Sequence, residues 1–205
     1  TGLNVDSDGA VIAGNSVWDA STGMDLDGRG ASVTGNRVYG NGTGMNVNSN
    51  GDTTTISSND VFQNTSIGIE ADGNVVISGN TVYGHVGSND RGIVGGGPTI
   101  RILGNTVFDN FNGIQGDSGA LIEGNTVYNH TGYGIRLTEE TVARGNHVYD
   151  SSSGIEAAGL FRGAIENNLI YEISNTAILI SNARMSGVDF PRVWNNTVYQ
   201  RIGDA

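Results

Sequence analysis

Apolar residues recur along this chain in three short clusters per repeat, with Gly, Asn and Asp between them. The first cluster opens on Gly followed by Leu, Met or Ile, as in Gly23-Met24, Gly68-Ile69 and Gly134-Ile135, with Ala177-Ile178 as a late variant. The second ends on Ile12, Val33, Ile56, Ile77, Ile102, Ile122, Ala143, Ile165 and Val193, each three residues before an Asn. That Asn opens the third cluster: Asn, any residue, a branched aliphatic, an aromatic. The Asn anchors are Asn15, Asn36, Asn59, Asn80, Asn105, Asn125, Asn146, Asn168 and Asn196, and the aromatics run from Trp18 and Tyr39 through Tyr171 to Tyr199.

Successive anchors lie 20 to 28 residues apart. A period of this length means a solenoid, in which each repeat buries its apolar face against its neighbours. A leucine-rich repeat would need a Leu pattern that is missing. Helical repeats would need longer amphipathic stretches than Gly and Asn leave here. Each cluster alternates like a short strand. Three stacked strands per coil predict an all-β, single-stranded parallel β-helix of about nine coils with three parallel sheets. At the usual strand spacing of about 4.8 Å the rod is roughly 40 Å long. Each anchor, most often preceded by Gly, is expected to take left-handed geometry at a tight corner and to hydrogen-bond up the column. A second polar row, Asn41, Asn64, His85, Asn110, His130 and Ser151, marks the corner that leads back into the Gly-Ile strand.

Composition narrows this picture. With 33 Gly, 2 Pro and 37% apolar residues, the core must be a thin column. The absence of Cys removes a disulfide framework and thiolate metal sites. A net charge of −11 argues against nucleic acid or an anionic membrane as partner. It also favours a neutral glycan or a Ca²⁺-bridged contact over a bare polyanion. No apolar run is long enough to span a bilayer. The chain begins and ends inside repeats, so residues 1–205 read as one β-helix domain, a piece of a longer protein. Its open coil ends expose strand edges and invite end-to-end self-association.

Coils of this length, an Asn at the short turn and a Gly-Ile strand resemble the right-handed parallel β-helix of the pectate-lyase-like superfamily. The closest likeness in style is to the β-helix repeats of alginate epimerases and related polysaccharide-modifying proteins. The resemblance implies an extracellular setting, secreted or at the cell surface, a polysaccharide or cell-surface glycan as partner, and a cleft along the first sheet.

Alternation lists the outward positions of that sheet. One row holds Asn4, Asp25, Asn46, Glu70, Val94, Gln115, Arg136 and Glu156. The next holds Asp6, Asp27, Asn48, Asp72, Gly96, Asp117 and Thr138. Stacked like charges repel unless a cation or an Asn intervenes. Asp6, Asp25 and Asp27 are therefore candidate Ca²⁺ ligands, and no other cofactor is indicated. A charged outer face kept for solubility gives the same pattern. Asp117, His130, Tyr133 and Arg136 form a candidate catalytic group: a base, an acid and a cation to neutralise a uronate carboxylate. Glu70, Asp72, His85 and Gln115 are candidate substrate contacts. Both histidines equally fit the corner row as structural residues. The aromatic column is either a stripe for stacking on sugars or a ladder packed on itself, and its presence in every coil favours the ladder. Two functions follow: a structural or carbohydrate-binding segment, or a polysaccharide lyase or uronate C5-epimerase. Two irregular places stand out, the enlarged corner His85 to Asp90 and an insertion at Ser181 to Asp189.

Overall fold

The computed structural model describes residues 1–182 and 190–200, so most of the Ser181 to Asp189 insertion lies outside the described residues. The described chain winds into a solenoid of parallel strands. Equivalent residues meet coil after coil, as in Val82 beside Val61 and Val107, and Ile93 beside Ile69 and Ile114. Three faces form as the sequence predicts. The third is a separate nine-stranded sheet. The first and second merge into one hydrogen-bonded sheet because the strands Thr43–Ser57 and Ile67–Ser78 run unbroken through the corner between them.

The interior is a stack of branched aliphatics. Met24, Met45, Ile69, Ile93, Ile114, Ile135 and Ile155 point in from the first face and are fully buried. Ile56, Ile77, Ile102 and Ile122 do so from the second, and Val38, Val61, Val82, Val107 and Val127 from the third. Most of these inward residues therefore lie above and below a similar neighbour, and much of the column packs like with like.

Each anchor Asn ties two corners together. Its backbone N–H and its Nδ2 both donate to Oδ1 of the next Asn, at 2.9–3.0 Å, along the whole run from Asn15 to Asn196. From Asn36 onward the second Nδ2 proton goes back to a backbone carbonyl of the preceding coil, such as Ile77 from Asn105 at 2.9 Å. Asn36 to Asn168 are buried, so these bonds satisfy groups that water cannot reach.

The left-handed residue is not the anchor, contrary to the sequence reading. It is the one before it: Gly14, Gly35, Ser58, Gly79, Gly104, Gly124, Gly145, Asn167 and Asn195 all have φ between 55° and 68°. The anchor must present its N–H and its side chain along the same axis, so the sharp reversal falls one residue earlier. A second left-handed residue follows most aromatics, as at Asp19, Gln63, Asp109 and Asn129. The Gly of each Gly-Ile pair has a different role. A Cβ at Gly44, Gly68 or Gly113 would lie 2.2–2.5 Å from the carbonyl oxygen of the next coil. Ala177 replaces this Gly only in the last coil, where no further described coil stacks on it.

The aromatics form the self-packed ladder. Eight rings from Trp18 to Tyr171 stack with centroids 4.8–5.8 Å apart and planes within 12° of parallel. Neighbouring rings cover each other's faces and leave edges to solvent. Beside them Thr81, Thr106 and Thr126 stand in register, a short threonine column that reading along the chain did not reveal.

Two substitutions test the corner. Asn105→Ala removes an acceptor from two donors of Asn80 and a donor from the Ile77 carbonyl. Urea denaturation is expected to show a loss of roughly 3 kcal/mol. Ser58→Gly places glycine where six other coils already have it and relieves a non-glycine left-handed residue. A small gain, about 0.5–1 kcal/mol, is expected in the same assay.

Candidate functional site

The chain has ten basic residues, all Arg, against 21 carboxylates. Four of the arginines are neutralised by a carboxylate of the preceding or following coil: Arg29 by Asp8, Arg37 by Asp60, Arg144 by Glu123 and Arg162 by Glu140. Arg91 and Arg136 are in no ion pair among the described residues. Both line one open groove of about 370 Å³ at the edge of the first face, with Phe111, Asn112, Gln115 and Tyr133.

Strand pairing builds this groove. Gln115 lies between Val94 and Arg136, and Arg136 between Gln115 and Glu156. Tyr133 is 7% exposed, and its hydroxyl donates to Gln115 Oε1 at 3.2 Å. The Arg136 guanidinium sits 5.9 Å from the centre of the Tyr133 ring. Burial pushes the Tyr133 phenol up to about 12, although Arg136 and Arg91 pull it the other way. At neutral pH the phenol is therefore an intact O–H donor. Gln115 Nε2 also donates to Asp117 Oδ2 at 2.9 Å, and Thr138 Oγ1 donates to Asp117 Oδ1 at 2.8 Å. Asp72 is exposed one coil beyond Gly96. A Cβ at Gly96 would come within 2.6 Å of the Asp72 carboxylate, so the glycine leaves that carboxylate room to lie over the sheet. Glu70 flanks it, between Asn46 and Val94.

Tyr133, Arg136, Gln115 and Asp117 thus come together as the sequence suggests, with Glu70 and Asp72 farther along the same face. His130 and His85 do not join them. Both rings are buried in the second corner ladder. His85 Nε2 faces Asn64 Nδ2 at 3.2 Å and its Nδ1 faces Asn110 Oδ1 at 2.7 Å. This network assigns a proton to Nδ1. His130 Nε2 faces the Val107 carbonyl at 3.2 Å, and its Nδ1 lies 3.3 Å from the Asn110 N and 3.2 Å from the Asn110 carbonyl oxygen. With Nε2 as the donor to Val107, Nδ1 is left to accept the Asn110 N–H. Each imidazole replaces an asparagine amide as donor and acceptor at once, which only the neutral ring can do. Burial lowers both to about 4.

Asp6, Asp25 and Asp27 lie on the first face near the amino-terminal end. Asn46 Nδ2 donates to Asp25 Oδ1 at 2.8 Å, so an amide relieves the repulsion there. Among the described residues no three His, Asp or Glu side chains gather closely enough to share a metal ion. The enlarged corner forms a separate shallow hollow of about 430 Å³, lined by Gln63, Thr65, Val86 and Asp90. Asp90 Oδ2 accepts the Gly87 N–H at 2.8 Å and closes that loop.

Sequence reasoning missed Arg91, Phe111 and Asn112. Counted back from Ile93, alternation points Arg91 inward. Arg91 opens the strand Arg91–Gly96, however, and at that corner its side chain lines the groove, as does that of Tyr133, which opens the strand Tyr133–Leu137.

The histidines make a pH prediction. Their folded values lie below the usual 6.5, so between pH 6.5 and about 4 the unfolded chain binds more protons. Stability is full above pH 6.5 and falls toward pH 4, by up to about 1.4 kcal/mol per pH unit for each histidine. Urea titrations at stepped pH should show this slope. His85→Asn and His130→Asn, which restore the amide used in other coils, should each flatten it.

No helix among the described residues is long and apolar enough to cross a membrane. No curated protein matches the sequence. Among solved structures, the A-module of the Azotobacter vinelandii mannuronan C-5 epimerase AlgE4 is similar, with a TM-score of 0.68 at 14% identity. The match covers 94% of this chain and 64% of that one. The periplasmic alginate epimerase AlgG is similar with a TM-score of 0.52 at 16% identity, over 93% of this chain and 51% of that one. This chain therefore spans about half to two thirds of the length of these proteins, and at such identities the likeness is one of fold. The sequence matches the right-handed beta helix region over residues 1–118 and 114–202, and with the coils seen here the chain belongs to that family.

Proposed function

We propose that this chain is a glycan-binding β-helix segment that works outside the cytoplasm and lays a polysaccharide along its first face. The observation that carries this reading is the groove itself. Donors and acceptors suited to sugar hydroxyls and acidic groups project from successive coils onto one open surface: Gln115, Asp117, Tyr133 and Arg136, with Glu70 and Asp72 beyond them. A rigid sheet holds these groups at fixed spacing, so binding costs little ordering of the protein. Phe111 adds an apolar wall for a ring face. The fold shared with two epimerases of acidic polysaccharides supports this class of partner.

A second reading, uronate C5-epimerase or lyase activity, has one observation in its favour. The Tyr133 phenol, held protonated, and the Arg136 cation line the groove, and Gln115, which both accepts from Tyr133 and donates to Asp117, links them to the Asp117 carboxylate. Abstraction of the C5 proton needs a base, a cation to hold the substrate carboxylate as negative charge builds, and an acid. In this reading Asp117 takes the proton, Arg136 pairs with the carboxylate and Tyr133 returns a proton. His130 stands behind them as a corner support.

The test is amide NMR with oligosaccharides of uronates and of neutral sugars, with and without Ca²⁺. Binding along the first face should shift residues 67–72, 91–96, 112–117 and 133–138 and leave the third-face ladder unmoved. Arg136→Gln should weaken an acidic oligosaccharide about tenfold or more. No shift with any glycan, or shifts confined to the third face, would end this reading. Sugar signals followed over hours decide the second one. Inverted C5 signals or unsaturated ends, abolished in Tyr133→Phe, would establish turnover.

A further inference from the structure

One buried side-chain atom among the described residues has no hydrogen-bond partner within the protein: Nε of Arg91. No other buried side-chain atom among the described residues is left open in this way; the Asn ladders, the buried histidines His85 and His130 and the corner threonine Thr54 are satisfied. A buried donor without an acceptor costs about 1–3 kcal/mol, more when it carries charge. It is therefore a place where an acceptor belongs. Arg91 lies at the mouth of the first-face groove. Its charge reaches Tyr133, as does that of Arg136. No carboxylate of the chain pairs with either arginine among the described residues, although carboxylates outnumber basic groups two to one. The neighbours of Arg91 in the groove, Asn112, Gln115 and Tyr133, carry no negative charge. Asp90, next in sequence, accepts the Gly87 N–H and feels the charge of Arg91 without forming an ion pair with it.

We infer that Arg91 is the specificity-determining residue of this groove: its guanidinium receives an oxyanion carried by the bound sugar polymer. The guanidinium edge presents parallel N–H donors that fit two oxygens of one carboxylate or sulfate, a geometry lysine lacks. Arg136, 5.9 Å from the centre of the Tyr133 ring, adds a second positive charge to the same pocket. The groove thus selects an acidic glycan over a neutral one of the same shape, in a chain whose overall charge is negative. This inference rests on the glycan-binding reading above and adds the residue that sets its preference.

The experiment follows the Nε–H resonance of Arg91 together with the groove amides of the intact chain. The probes are a uronate trisaccharide, its carboxyl-reduced counterpart and a sulfated neutral trisaccharide. The expected result is a shift of the Arg91 resonance with an acidic trisaccharide, and binding about tenfold to a hundredfold tighter than for the reduced one. That preference should be lost in Arg91→Gln. It should not return in Arg91→Lys, which keeps the charge without the fork, and unchanged thermal melting of both variants excludes a folding defect. The uronate and sulfate arms decide which oxyanion is preferred. Groove amides that respond while Arg91 does not, or equal binding of acidic and reduced sugars, would overturn the inference and leave the glycan-binding reading standing. A shift of Arg91 that small acetate or sulfate ions produce to the same extent, with no gain from the sugar, marks a solvated guanidinium only and also overturns it. No response of any groove resonance to any trisaccharide would instead remove the glycan-binding reading.

Discussion

Everything in this structure depends on the double donation from one asparagine to the next. A parallel coil must turn back on itself three times, and each turn strands backbone groups where neither water nor a neighbouring strand can satisfy them. One side chain solves this if it has an acceptor for the coil on one side and two donors to share. Asparagine has that set, on a stem short enough to hold its amide against the corner. The bonds at 2.9–3.0 Å then fix the coil-to-coil distance, and the aromatic rings and the aliphatic column both inherit it. The same distance forbids a side chain at the glycine that opens each first-face strand.

Much of this was legible because the ladder repeats itself in the sequence. Nine asparagines in one register with Val and an aromatic behind them describe a column before any coordinate is known. The two inward rows and the self-packing of the aromatics follow from alternation. The left-handed residue was misplaced by one position because sequence shows which residues tolerate that geometry, not where the hydrogen bonds require it. The site was harder to read. His130 drew attention as the one ionisable ring near Tyr133 and Arg136, yet imidazole here substitutes for an amide in the second ladder. Chemistry was inferred from residue type, whereas the neighbours decide whether a ring faces solvent or a carbonyl. Arg91 escaped notice for the opposite reason. It is the first residue of the strand Arg91–Gly96, at the corner, where the two-residue period does not yet tell which way a side chain points.

Net charge speaks for the chain as a whole. A value of −11 argued against an anionic partner, and as a long-range field it still does. Recognition takes place within a few ångströms, however, and there the pattern is uneven. Four arginines are spent on neighbouring carboxylates, while two of those left without an ion pair among the described residues, Arg91 and Arg136, share one groove. On the reading proposed above, an acidic rod with a cationic groove would repel a polyanion along most of its length and hold it at one place.

The ladder has one property that none of its single bonds shows. Every bond from one asparagine to the next runs toward the carboxy-terminal end, with no reversal from Asn15 to Asn196. The side-chain dipoles therefore add, as peptide dipoles do in an α-helix. The rod has a polarity: Asn15 turns an acceptor to one end, and the N–H of Asn196 turns a donor to the other. Another coil, whether from the same polypeptide or a different copy, can continue the column only in the same sense. Two rods meeting by like ends would set acceptor against acceptor, so this architecture lengthens by translation along its axis and not by twofold symmetry.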